Sequence, residues 1–143
     1  NVKLFNDEAL KAIYIDEDAS VGMIWNGDAF LSIQENPHLH FIYPTEGFIL
    51  SEDSLAIPIN APHVKNAYTF INFVLRPDIA AKIAQATGYT SPNEAAKKFL
   101  PRQFRESQIM YPDIQTLKRG IFLRDVGDSV KLYENYFEQL KLS

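Results

Sequence analysis

The chain has no cysteine among its 143 residues, which excludes disulfides, thiolate catalysis and cysteine-ligated metals. It also lacks any run approaching the roughly 18 apolar residues that a membrane-spanning helix needs. Its 14 lysines and arginines are scattered, and 18 acidic residues bring the net charge to −4. The basic footprint of a nucleic-acid-binding protein is therefore missing. Glycine-rich phosphate loops, Gly-x-Ser-x-Gly and His-Glu-x-x-His are absent, and with them positive evidence for catalysis or a cofactor. No internal repeat, low-complexity tract or flexible linker occurs. Tryptophan is present once, as Trp25.

The rest of the composition is that of an ordinary globular protein, 46% hydrophobic and 22% charged. A chain of this length can form one domain that buries roughly two-thirds of its unfolded surface. It opens on Asn1, not Met, with no charged-then-apolar leader before it, so the expectation is a processed or truncated start.

Hydropathy patterning alternates helices and strands, which predicts an α/β class. Asp7 to Ile15 reads as a helix with Asn6 as its cap, and Asp28 to Gln34 as another. Val21 to Trp25, His40 to Tyr43, Phe48 to Leu50 and Leu55 to Ile59 read as short strands, the last interrupted by Pro58. Val64, Ala67, Tyr68, Ile71, Val74 and Leu75 recur at helical spacing and form one apolar stripe. Arg76-Pro77-Asp78 restarts a helix from Ile79 to Ala86, capped by Gly88. Ser91-Pro92-Asn93-Glu94 has the form of a capping box, and Tyr111-Pro112-Asp113 begins a helix ending near Gly120. The last helix carries Val126, Val130, Tyr133, Phe137 and Leu140 on one face.

Two segments carry chemistry. Met23-Ile24-Trp25-Asn26-Gly27-Asp28 ends an apolar run in an indole, a glycine turn and a carboxylate. Ser51-Glu52-Asp53-Ser54-Leu55-Ala56-Ile57-Pro58 sets two carboxylates before another apolar run. A strand-end indole facing a strand-start aspartate can form a slot for an elongated cation, with the π face on its body and carboxylates on its ammonium ends. Each residue also has a plainer reading. Trp25 can be core packing, Asp28 can serve the helix dipole, and Asp53 can be a turn residue. Tyr89, between the Gly88 and Ser91 caps, sits on a short fixed loop and can simply pack against the surface. His38 and His40 share a strand face, but no third metal ligand lies near them and His63 is remote. Asp16-Glu17-Asp18 lacks the glycine and terminal glutamate of a calcium loop and reads as a solvated turn.

Six segments in order resemble the polyamine-binding proteins of bacterial ABC transporters, the spermidine/putrescine-binding family. They are Val21-Gly22-Met23-Ile24-Trp25-Asn26-Gly27, Asp53-Ser54-Leu55-Ala56-Ile57-Pro58, Ala67 through Asp78, Gly88-Tyr89 with Pro92-Asn93, Tyr111-Pro112, and Asp125-Val126-Gly127. The resemblance implies part of a type II two-lobe periplasmic-binding-protein fold with three-layer α/β lobes closing on ligand by a hinge. It places the chain at the C-terminal half of proteins roughly twice as long. Residues 1–52 and 98–143 would belong to the C-terminal lobe, while 53–97 would cross over to complete the N-terminal one. It further implies that Trp25 stacks on the ligand's methylene chain, that Asp53 pairs with an amine and that Tyr89 lines the pocket. Asp28 stands where putrescine-type members carry a ligand-binding aspartate. Ser51 and Leu123 depart from the family pattern: Ser51 stands where an aromatic is usual, and Leu123 where spermidine binders often carry a glutamine.

The function so implied is solute binding for a polyamine ABC import system, with no catalysis, cofactor or metal. The partners would be putrescine or spermidine and a membrane permease. The location would be the periplasm, or the outer face of the membrane, by an anchor, in a Gram-positive organism. Alternatives are another small cationic or amino-acid-like solute on the same fold, or self-association through the stripe from Val64 to Leu75.

Overall fold

The computed structural model describes residues 9–141. Helices α1 (Leu10–Ile15) and α2 (Asn26–Glu35) come first, then strand β1 (Phe48–Leu50). Helices α3 (Val64–Val74) and α4 (Pro77–Thr87) follow, then a 3₁₀ turn at Glu94–Phe99 and two single-turn helices, α5 (Arg102–Arg105) and α6 (Ile114–Leu117). Strand β2 (Gly120–Phe122), a short 3₁₀ turn and helix α7 (Val130–Lys141) close the chain. Strands β1 and β2 pair in parallel, with Phe48 opposite Gly120, Ile49 opposite Ile121 and Leu50 opposite Phe122.

The core forms where small residues let backbones approach. Ala80, Ala81 and Ala84 on one face of α4 pack with Ala96, Leu100, Phe104 and Met110. Phe30 of α2 reaches this cluster edge-on, its ring centroid 5.1 Å from that of Phe104. Pro77 sets the start of α4, where its missing N–H is no loss, and Gly88 ends it in the left-handed region at φ 77°. The Gly88 amide closes the helix on the Ala84 carbonyl at 3.0 Å.

The local elements follow the patterning; the long-range ones do not. Val21–Trp25, His40–Tyr43 and Leu55–Ile59, read as strands, join no ladder among the described residues. An isolated extended segment has no partner for its backbone groups, and its apolar side chains stay in water: Val21 is 88% and Ile42 77% exposed. Strand β2 appears instead where the patterning had ended a helix near Gly120; that helix stops at Leu117.

Helix α2 starts at Asn26, so Trp25 is its N-cap in extended backbone rather than the end of a strand. The expected capping box is also different in detail. Asn93 caps the 3₁₀ turn by accepting from the Ala95 amide, while the Ser91 hydroxyl accepts from the Asn93 amide. The final helix begins at Val130, after the 3₁₀ turn Gly127–Ser129. The expected Asn6 cap and Asp7 start lie outside the described residues.

Much apolar surface is uncovered. Helices α3 and α7 bury no residue. The chain exposes 11470 Å², against about 7,500 Å² for a compact monomer of its mass.

Candidate functional site

The first turn of α2 presents two of the four candidate residues. Trp25, at the cap, lies beside a cleft of about 520 Å³ whose walls include Leu50, Ser51, Glu52, Ser54 and Leu123. The parallel pairing of β1 and β2 brings these walls together, because Ser51 and Leu123 each directly follow a strand. Asp28 sits in the first turn of the helix, where the macrodipole favours a carboxylate. Its backbone carbonyl accepts from the buried Ser32 hydroxyl at 2.8 Å.

Tyr89 reaches Asp28 from another part of the chain. Its hydroxyl donates to Asp28 Oδ2 at 2.9 Å, across 61 positions of sequence. Burial, the hydrogen bond to Asp28 and the charges of Asp28 and Asp53 together push the Tyr89 phenol up to about 12. The hydroxyl is therefore a donor throughout the physiological range. Asp53 is exposed, and its charge is felt at that same hydroxyl. The structure thus links Tyr89 to Asp28 by contact and to Asp53 by field. Trp25 shares its cleft with Glu52 and Ser54, the two neighbours of Asp53.

Close packing makes the Tyr89–Asp28 contact possible. A Cβ at Gly27 would lie 2.7 Å from the Gly88 carbonyl oxygen and 2.8 Å from the Tyr89 ring. Only glycine at 27 lets the α4 cap and the tyrosine ring lie against the first turn of α2.

Two further residues hold that turn from its other side and were not singled out by the sequence. The Asn26 amide donates to the Ile109 carbonyl at 3.1 Å, and the Tyr43 hydroxyl donates to the same oxygen at 2.6 Å. Burial pushes the Tyr43 phenol up, with the Asn26 side chain acting in the opposite direction. Contacts spanning 83 and 66 positions leave no local signature.

His38 and His40 line a second cleft, of about 260 Å³, with Tyr14 and Ser32. Among the described residues no group of three or more histidines and carboxylates is placed to hold a metal ion. No helix among them is long and apolar enough to cross a membrane.

The family model for bacterial extracellular solute-binding proteins matches residues 2–110. The chain belongs to that family.

Among its relatives, the spermidine/putrescine-binding periplasmic protein of Salmonella typhimurium is 42% identical over 141 residues, 99% of this chain and 40% of its own length. The protein of the same name from Escherichia coli is 41% identical over the same shares. The solved spermidine/putrescine ABC transporter substrate-binding protein PotD of Streptococcus pneumoniae, in complex with calcium and HEPES, superposes with a TM-score of 0.75. It is 30% identical, and the match covers 94% of this chain and 42% of that one. The chain therefore spans about 40% of the length of these curated relatives. Its class is α/β, part of a type II periplasmic-binding-protein fold, and the two-stranded sheet is the portion of the α/β architecture formed by the described residues.

Proposed function

We propose that this solute-binding chain supplies one side of a polyamine site in an ABC import system, holding a putrescine- or spermidine-like cation between two lobes. The reading is carried by one observation: Tyr89 joined to Asp28 at 2.9 Å, within the field of Asp53 and on the helix turn that begins with Trp25. Each carboxylate can take an ammonium, and a charge-assisted hydrogen bond contributes about 1.5–3 kcal/mol. The indole face can cover methylenes and add about 0.5–2 kcal/mol as a cation–π contact. Micromolar affinity, near −8 kcal/mol, requires closing contacts from a second lobe. The names of the relatives support the polyamine class. In this reading a membrane permease receives the ligand, the protein works outside the cytoplasmic membrane, and no bond is broken.

The same reading divides the chain between lobes, with about 1–52 and 98–143 in one and 53–97 crossing to the other. Ala84, inside the crossing segment, shares one core with Phe104, outside it. A short diamine is the favoured ligand. Asp28 offers a carboxylate to one ammonium, whereas Leu123, on the wall of the Trp25 cleft, offers nothing to an internal secondary amine.

Titration calorimetry on the two-lobe protein with putrescine, spermidine, cadaverine and control amino acids tests the proposal. Diamine binding with no response to amino acids is expected. Preference for an amino acid would move the ligand to another class on the same fold. A second reading, self-association, is favoured by the uncovered α3 stripe, where Val64, Tyr68 and Leu75 are exposed. Light scattering of the isolated chain decides it, since a monodisperse monomer at high concentration rejects self-association.

A further inference from the structure

The residues proposed to meet the ligand, Trp25 and Asp28, flank two that are held by distant parts of the chain. Gly27 is wedged against the Gly88 carbonyl. Asn26 points to the segment 107–111, where its amide and the Tyr43 hydroxyl converge on the single carbonyl of Ile109. That segment is itself internally hydrogen-bonded. The Ser107 hydroxyl accepts from the amides of Ile109 and Met110, and the Tyr111 amide donates to the Ser107 carbonyl at 2.8 Å. Met110 is buried in the core beside Phe104. Tyr43 is fixed in turn, its ring packed 4.8 Å from Phe41 and 4.6 Å from Phe48. Two donors on one well-held acceptor make a fastening point between the core and the turn that carries the candidate site.

We infer that Asn26 and Tyr43 are positioning residues of the amine site, fastening the Trp25–Asp28 turn to the Ile109 carbonyl. The inference rests on the polyamine reading for its ligand but not for its geometry. A carbonyl oxygen has two lone pairs, and here both donors come from the elements that wall the site: Asn26 from the first turn of α2, Tyr43 from the segment leading into β1. Losing either donor lets the turn shift relative to β1, and so moves the indole relative to its cleft. Pre-organisation of this kind acts on affinity without touching ligand.

Trp25, the only tryptophan, reports on the turn directly. Tyr43→Phe and Asn26→Leu remove one donor each with little change of shape and no added charge. Leu100→Val, in the same core as Met110 but with no hydrogen bond to the carbonyl at stake, serves as a control for general loss of stability. Intrinsic fluorescence of Trp25 and its quenching by acrylamide are measured on the 143-residue chain, and putrescine affinity on the two-lobe protein, for all three. The expected result is red-shifted emission, stronger quenching and roughly 3- to 10-fold weaker putrescine binding for the two donor variants. Leu100→Val should lower the melting temperature and leave the other signals at wild-type values. A folded Tyr43→Phe protein with either Trp25 emission or putrescine affinity unchanged overturns the inference, as does an equal response from Leu100→Val. Absence of amine binding by the unsubstituted protein would sink the polyamine reading instead; the emission and quenching comparison would still decide whether the turn is fastened as described.

Discussion

Helices α3 (Val64–Val74) and α4 (Pro77–Thr87) are consecutive, have 11 residues each and carry apolar faces, yet their surroundings are opposite. Helix α4 buries Ala80, Ala81 and Ala84 against the 3₁₀ turn at Glu94–Phe99 and the ring of Phe104. Helix α3 buries nothing, and Tyr68, Phe70 and Phe73 stand in water. Small residues let α4 approach its neighbours closely, and the segment that follows folds back to cover it. Of the bulkier α3 stripe, Ala67, Ile71 and Val74 are half-buried, while Val64, Tyr68 and Leu75 stay exposed. The difference teaches that periodicity states which face should be covered but not what covers it. Helix α7, with Leu132 and Tyr136 exposed, repeats the lesson of α3.

The comparison breaks if the two regions respond alike to truncation. Phe104→Ala, in the packed region, should cost about 3–5 kcal/mol because the Phe30 ring and the alanine face of α4 lose their partner. Leu132→Ala, on the uncovered α7, should change stability of the isolated chain by no more than about 0.5 kcal/mol. Chemical denaturation of both variants checks this pair. A large loss for Leu132→Ala would mean that α7 is covered after all, and its dependence on chain concentration would identify self-association as the cause.

A smaller effect tests the contact between α2 and the α4 cap. Alanine at a helical glycine normally adds up to about 1 kcal/mol of stability. At Gly27 the new Cβ meets the Gly88 backbone oxygen at 2.7 Å, and backbone cannot swing aside as a flexible side chain can. Gly27→Ala is therefore expected to destabilise by about 1–3 kcal/mol. Thermal melting showing a gain would contradict the close approach.

The smallest expected effect is confined to alkaline pH. Unfolded, the Tyr89 phenol loses its proton near 10.0; folded, it holds it to about 12. The native state binds that proton more tightly, so its stabilising contribution is complete below pH 10.0 and is lost as pH rises through about 12. Tyr89→Phe should remove one late step from the tyrosinate absorbance titration and flatten the alkaline decline in stability between these values. An unchanged late step would mean that Tyr89 does not face Asp28.

Helices were legible because their signals are local: Pro77 and Gly88 bracket α4, and Asp113 caps α6 by accepting from the Gln115 and Thr116 amides. Strands were less legible because a strand exists only with its partner. Phe48–Leu50 was read correctly and pairs with Gly120–Phe122, which was not anticipated. Trp25, Asp28, Asp53 and Tyr89 could be named from loop position and family resemblance. The Tyr89–Asp28 bond, the Gly27–Gly88 approach and the Ile109 carbonyl could not, since each joins residues at least 61 positions apart.

The central claim is that the Asp28 carboxylate, held by Tyr89 on the turn that starts with Trp25, receives one ammonium of a short diamine. Titration calorimetry of putrescine and spermidine into the two-lobe protein and its Asp28→Ser variant tests it most directly. Loss of one charge-assisted hydrogen bond should weaken putrescine by roughly 10- to 100-fold and remove its advantage over spermidine. Tighter binding of spermidine by the unsubstituted protein, with putrescine affinity unmoved in Asp28→Ser, would contradict the account.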